Sequence, residues 1–298
     1  MRISSTLLFL SFVSFSAMAK KNTLVLSDGT QCNYETEKGM LDGQYRSYYE
    51  NGKLKSEGTF SKNNRLGFWV FYKPDGKIQC MRDYKNNYSF EEKSADNKSK
   101  NVVLNANNSW TPIQEKNILS KVRYFGIMLQ SENTDLFKTE NLFGNVLKAV
   151  KEIGKPVYTD SRFVQTGNPD VPAGSNIVGF KIKEDRIVDR ATQTLHYRII
   201  GIAPLVKTEG PNGESKVNEL FWIHYEDIKS ELAIMMLKNV PDHSFCKTLL
   251  DVFEFRNFAE EIYDGSAAGT EPADKNINQP IFVIEKENTF ITENFTNK

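Results

Sequence analysis

Residues 176–205 read NIVGFKIKEDRIVDRATQTLHYRIIGIAPL, and after a polar loop residues 219–233 read ELFWIHYEDIKSELA. In the first stretch Val178, Phe180 and Ile182 recur at every second position, and the alternation resumes at Leu195, Tyr197 and Ile199. Apolar side chains two residues apart line one face of an extended chain, so the spacing predicts a half-buried β-hairpin. The charged segment between the arms, Lys183, Glu184, Asp185, Arg186, Asp189 and Arg190, is expected at the hairpin end. Beyond Leu220-Phe221-Trp222-Ile223 the period becomes helical, with Ile228, Leu232, Met235 and Met236 on one side.

Toward the amino terminus, residues 43–87 repeat with a period of 24. Gly43, Tyr45, Tyr48, Asn51-Gly52-Lys53, Leu54 and Phe60 return as Gly67, Trp69, Tyr72, Asp75-Gly76-Lys77, Ile78 and Tyr84. Asn-Gly and Asp-Gly pairs favour hairpin turns because both residues tolerate positive φ, so each unit is expected to be one hairpin. Asp28-Gly29, with Leu24, Leu26 and Tyr34 around it, reads as a degenerate first unit. One hairpin cannot bury its own face, so neighbouring units must supply each other's core. Tyr45, Tyr48, Trp69 and Tyr72 are expected in that core, whereas Tyr49 and Phe71, off the main register, are expected as an exposed pair suited to contact.

The 298 residues, 39% hydrophobic and 12% aromatic, suffice for a packed core. Residues 1–19 read as a cleavable secretory leader: Arg2, an apolar run from Leu7 to Val13, and the small-residue site Ala17-Met18-Ala19, with the mature chain starting near Lys20. No later stretch approaches the ~20 apolar residues of a membrane span, so any membrane association is expected through a partner. The 38 basic and 38 acidic residues balance, which offers no basic excess for nucleic acid. Cys32, Cys80 and Cys246 are an odd set, and the two-repeat separation of the first pair favours free thiols.

Residues 91–109 are polar and read as a linker between a repeat region at 20–90 and a second domain at 110–265. In that domain Thr111-Pro112-Ile113-Gln114 reads as a capping box before a helix at about 112–130, carried by Ile118, Val122, Phe125 and Leu129. Phe143, Val146, Leu147, Val150 and Ile153 predict a second helix ended by Gly154 and Pro156. Leu249, Phe253, Phe258 and Ile262 predict a further helix, and in the tail at 266–298 Pro280 to Ile284 are expected as a strand or a docked extended segment. The fold class expected is α+β, a hairpin array followed by an α+β domain.

Motifs for chemistry are sparse. Neither a phosphate-cradling glycine loop nor a dinucleotide fingerprint follows a strand, and His196, His224 and His243 lack metal-ligand spacing, so no cofactor, metal or catalytic residue is assigned. Glu184, Asp185 and Asp189 are open to two readings, a solvated hairpin end or paired carboxylates for acid–base work.

Two resemblances weigh on these readings. Tyr45-Arg46-Ser47-Tyr48-Tyr49-Glu50-Asn51-Gly52-Lys53-Leu54, and the matching run from Trp69 to Ile78, resemble the bacterial MORN-type repeat. The second domain resembles the GldN/PorN family of type IX secretion and gliding motility in Bacteroidetes. Ile182-Lys183-Glu184-Asp185, Arg198-Ile199-Ile200-Gly201-Ile202-Ala203-Pro204 and Leu220-Phe221-Trp222-Ile223 carry that resemblance. It implies a non-catalytic periplasmic scaffold that binds an outer-membrane lipoprotein and joins a ring with other secretion or motility components. On that reading Lys183, Glu184, Asp185 and Arg198 are expected to make intersubunit contacts, with Tyr49 and Phe71 adding a surface from the repeats. The alternative is a stand-alone periplasmic module whose repeats bind a peptide, toxin or envelope glycan.

Overall fold

Hairpin turns spaced by the repeat period lay the described residues between Lys20 and Val103 into one antiparallel meander. Its strands are β1 (Lys20–Val25), β2 (Gln31–Glu37), β3 (Met40–Tyr48), β4 (Leu54–Ser61), β5 (Asn64–Tyr72), β6 (Ile78–Asn86), β7 (Ser89–Ser94) and β8 (Ser99–Val103), hydrogen-bonded in sequence order. The computed structural model describes residues 19–87, 89–95, 98–103, 113–191, 194–209, 214–238, 240, 244–264 and 278–293. The expected leader, apart from Ala19, residues 96–97 and 104–109 of the expected linker, and Thr111 and Pro112 of the expected capping box lie outside the described residues.

The turns alternate in kind from one end of this sheet to the other. At one end Gly52 N donates to Tyr49 O and Tyr49 N to Lys53 O, each at 2.8 Å, and Lys73 to Lys77 repeats both bonds. Only the glycine takes positive φ there, 77° at Gly52 and 91° at Gly76. Asn51 and Asp75 keep ordinary φ and instead accept the backbone N–H of Lys53 and Lys77 at 3.0 and 2.9 Å. These are three-residue loops closed by a glycine bulge, so the expectation of positive φ at both positions fails. At the other end, two-residue turns do carry it at both positions, Lys38 and Gly39, then Lys62 and Asn63.

Strand parity decides which repeat residues are inside. Tyr45, Trp69, Phe71 and Tyr84 project to one face and join Cys32, Tyr34, Phe60, Cys80 and Phe90 in a core. Tyr48 and Tyr72 lie an odd number of positions from Tyr45 and Trp69, so they fall outside this buried set. Phe71, expected to be exposed, is fully buried for the same reason, two positions from Trp69. Cys32 on β2 and Cys80 on β6 are four strand spacings apart, roughly 19 Å. With Cys246 they are buried free thiols. Residues 91–103 are not a linker throughout: β7 and β8 extend the sheet, with Phe90 and Glu92 pointing inward and Glu92 accepting from Arg82 Nε at 2.7 Å.

A second sheet holds β9 (Ile118–Leu129), β10 (Asn176–Asp189), β11 (Thr194–Glu209), β12 (Ser215–Glu219) and β14 (Glu261–Asp264) in the order β12-β11-β10-β9-β14, with the short β13 (Ile223–His224) beside β11. The expected helix at 112–130 is therefore corrected: its described part is largely strand β9. Tyr124, Gly126 and Met128 alternate inward, and β10 and β14 satisfy its backbone from both sides. The spacing of Ile118, Val122, Phe125 and Leu129 fits a helix on paper, but burial follows period two.

Helices α1 (Leu142–Ile153), α2 (Tyr225–Ile234) and α3 (Leu249–Glu254) pack on the half of this sheet carrying Met128, Phe180, Ile182 and Ile202. Gly154, with φ 64°, ends α1 as the sequence indicates. The helix expected to continue through Ile262 stops at Glu254, and the chain re-enters the sheet as β14.

The tail also differs from expectation: residues 278–293 form helix α4 (Asn278–Glu293). Ile281, Ile284, Asn288 and Ile291 recur at three- and four-residue spacing, and Pro280 sits in the first turn, where its missing N–H costs nothing. The helix wedges between the sheets. Ile281, Ile284 and Ile291 join the repeat core, while Phe290 packs with Tyr124, Val188 and Leu195 of the second sheet. Glu287 ties both, pairing with Arg65 and accepting from Leu195 N at 3.3 Å. Asn63, in a repeat turn, donates to Arg256 O and Phe258 O at 3.1 and 3.0 Å. The chain is mostly β-sheet, with an amino-terminal sheet of antiparallel hairpins and helices in the minority.

Candidate functional site

The charged residues expected at the hairpin end lie within strands. β10 and β11 remain paired as far as Asp189 and Thr194, so Lys183, Glu184 and Asp185 sit mid-strand beside a β-bulge between Lys183 and Glu184. All three are buried. Successive strand residues face opposite sides, and this separates Glu184 from Asp185.

Glu184 faces inward. Arg186 Nε donates to its Oε1 at 2.6 Å and Arg256 holds its Oε2, while Glu260 takes a hydrogen bond from each arginine. Two arginines and two glutamates thus close a neutral square. The Arg186 guanidinium lies 4.7 Å from the Tyr124 ring centroid and 5.2 Å from that of Tyr197, and Arg256 lies 5.0 Å from the latter. Burial opposes ionisation of Glu184, but the two arginines prevail and hold its carboxyl below the usual range.

Asp185 faces the other side, where Arg123 grips it in a fork, Nε to Oδ1 at 2.6 Å and Nη2 to Oδ2 at 2.8 Å, and Lys121 Nζ stands 3.0 Å from Oδ2. Its carboxyl too is held below the ordinary range: burial pushes up, and hydrogen bonds from Arg123 and Lys121 outweigh it. Arg198 is the β11 residue paired with Asp185 in register, which puts three cations around one buried aspartate. The side chains of Lys121 and Arg123 are 49% and 44% exposed, so this face presents net positive charge to its surroundings.

Lys183, on the same face, donates to Ser161 O at 2.6 Å and stands 5.0 Å from the Phe163 ring centroid. Phe163, at φ 57°, packs edge-on against Tyr158, Trp222 and His224, over Gly201. A Cβ at Gly201 would meet the Phe163 ring at 2.4 Å. The runs around Lys183, Gly201 and Trp222 therefore meet in one place, as the seat of a loop.

The structure brings Lys183, Asp185 and Arg198 to one face, turns Glu184 away from it, and leaves Tyr49 and Phe71 in the other sheet. Tyr49 is partly buried, its hydroxyl donating to Tyr72 O at 2.6 Å. Glu184 and Asp185 cannot work as a carboxylate pair, since each is neutralised on its own side of the strand. Burial raises the thiols of Cys32 and Cys80 to about 12 and that of Cys246 to about 11, far from reactive thiolates at neutral pH. Among the described residues no group of three or more His, Cys, Asp or Glu could hold a metal ion, and no helix is long and apolar enough to cross a membrane. Sequence reasoning missed Lys121 and Arg123, because the helix assigned there hid their shared strand face with Asp185. A cleft of about 690 Å³ opens where Lys38 and Lys62 of the repeat turns face Glu132 and Asp135.

Fold and site define a two-sheet β-rich protein, a repeat meander locked to a helix-backed sheet with a charged outer face. Residues 166–292 match the family model described as gliding motility associated protein GldN, and residues 41–62 match that of the MORN repeat variant. The MORN-type region precedes the GldN-type region, as the motif resemblances implied. No curated protein matches the chain.

Proposed function

We propose that this chain is a non-enzymatic periplasmic component of a gliding-motility or type IX secretion machine, acting as a scaffold that binds an outer-membrane lipoprotein. The family match at 166–292 carries the reading. Its span takes in β10, β11 and α4, and with them Lys183, Asp185, Arg198 and the wedge that holds the sheets together, while Lys121 and Arg123 on β9 lie before it. In this reading Lys121, Arg123 and Arg198, framed by Asp185 and Lys183, meet acidic groups of a neighbouring component, where charge sets register and partner choice. The test is affinity capture from detergent-solubilised envelope of the native host. Recovery with a lipoprotein and other motility or secretion components is expected, and weaker recovery from Arg123→Glu. Recovery as a lone monomer would overturn the reading.

A second reading, a periplasmic binding module, draws on the outward face of the repeat sheet. Leu66, Phe68, Ile78 and Met81 are exposed there, Phe68 at 72%. Single exposed apolar residues are ordinary, but a row across β5 and β6 is the kind of patch that binds. Phe68→Ser that abolishes capture while Arg123→Glu leaves it intact would favour this reading.

A further inference from the structure

Helix α4 carries Glu285 and Asn288 into the repeat core beside Lys55, and the exposures of these three side chains' residues are 2%, 0% and 2%. Lys55 Nζ stands 2.9 Å from Glu285 Oε2, an ion contact without an aligned hydrogen bond at that oxygen, and donates to Thr289 Oγ1 at 2.9 Å and Thr30 Oγ1 at 3.4 Å. The other carboxylate oxygen, Oε1, accepts from Asn288 Nδ2 at 2.6 Å and from Tyr45 Oη at 2.6 Å. Arg65 Nη2 donates to Asn288 Oδ1 at 2.8 Å. Tyr45, Phe60 and Trp69 line the surroundings. Thus one buried carboxylate touches an amine with one oxygen and a carboxamide nitrogen with the other, while an arginine polarises that amide's carbonyl.

We propose that Lys55 and Asn288 form an intramolecular amide cross-link, with Glu285 as the catalytic residue. Lys55 gives one proton to the Glu285 carboxylate, which takes it up beside Nζ and releases it from the oxygen beside Nδ2, and becomes a neutral amine. Its lone pair attacks Asn288 Cγ, and the carbonyl pair moves onto Oδ1, where the Arg65 guanidinium stabilises the charge. Glu285 passes its proton to Nδ2; the Cγ–Nδ2 bond breaks with its electrons on nitrogen, and ammonia leaves. The second Nζ proton goes to the departing ammonia. An ammonium and a carboxamide thus become a secondary amide and an ammonium ion, with no redox change and no further reactant. Burial strengthens the Arg65 contact and keeps water from competing for the acyl carbon.

The product joins β4 to α4 and makes the wedge between the sheets permanent. A pull on the two ends of the chain would then be carried across the link rather than by the segment between Lys55 and Asn288. This inference stands apart from the assignment to a motility machine.

Intact-mass measurement of the purified mature chain tests it. A mass about 17 Da below that of the sequence is expected, the loss of one ammonia. Proteolysis should release a branched peptide joining Lys55 to Asn288. An unshifted mass overturns the proposal. So does a loss mapped elsewhere, for instance to a succinimide at Asn51-Gly52. Glu285→Gln and Lys55→Arg should each restore the full mass, and a branched peptide persisting in Glu285→Gln would remove Glu285 from its catalytic role. Where either variant fails to fold, the wild-type mass and peptide map decide alone.

Discussion

Glu184 shows how much a single side chain depends on what faces it. The Lys-Glu-Asp run announces charge, yet only the alternation of strand faces separates Glu184, locked between Arg186 and Arg256, from Asp185 under Arg123 and Lys121. Glu184→Ala leaves two buried guanidiniums short of a partner, so stability should drop by about 3–5 kcal/mol, read from the urea midpoint. Acid should act in the same direction. Carboxyls held below their unfolded value of about 4 contribute stability present above that pH and lost as pH falls through the folded value. His196, pulled down mainly by burial, adds a loss that starts as pH falls through about 6.5, where the unfolded chain takes its proton first. Glu254, raised by burial, opposes the trend. Urea midpoints should therefore fall from pH 7 to pH 3, and less steeply in Asp185→Asn. A midpoint rising on acidification would contradict this arrangement.

Elements divide into those their own residues specify and those a neighbour decides. The turns at Gly52 and Gly76 belong to the first kind, since a glycine at φ 77° and 91° and an Asx contact fix the loop locally. Gly52→Ala should cost about 1 kcal/mol of stability and leave the fold unchanged by circular dichroism. Gly58 belongs to the second kind. A Cβ there would strike the Trp69 ring at 2.2 Å, so Gly58→Ala should destabilise by about 1–3 kcal/mol and perturb the Trp69 fluorescence. β9 and α4 were misread for the same reason. Ile118 to Leu129 satisfies a helical spacing as well as an alternating one, and the choice falls to β10 and β14, which supply backbone partners. Pro280 to Ile284 reads as extended when taken alone, and becomes a helical face once Asn288 and Ile291 extend the stripe onto the repeat core.

At the scale of the molecule, α4 and the repeat turns remove the independence that a two-domain reading implies. Ile284 packs in the repeat core, Phe290 against the second sheet, and Asn63 bonds across to Arg256 and Phe258. The two sheets should therefore unfold together. Variants retaining Trp69 or Trp222 as their single tryptophan should give coincident urea transitions, and separated midpoints would show two independent units. Ile284→Ala should lower both midpoints, at a cost of about 2–5 kcal/mol.

The sequence by itself determined the repeat hairpins with their turns at Gly29, Gly52 and Gly76, helix α1 with its glycine stop, the β10–β11 pairing and the order of the two family-like regions. Each rests on local chemistry or on a period longer than the ambiguity it must resolve. Tertiary structure alone decided that β9 is a strand, that residues 278–293 form a helix, that Phe71 is inside, and that the charged run has two faces with opposite fates. Those outcomes depend on backbone partners and apolar surfaces supplied from far along the chain, which no window of neighbouring residues contains.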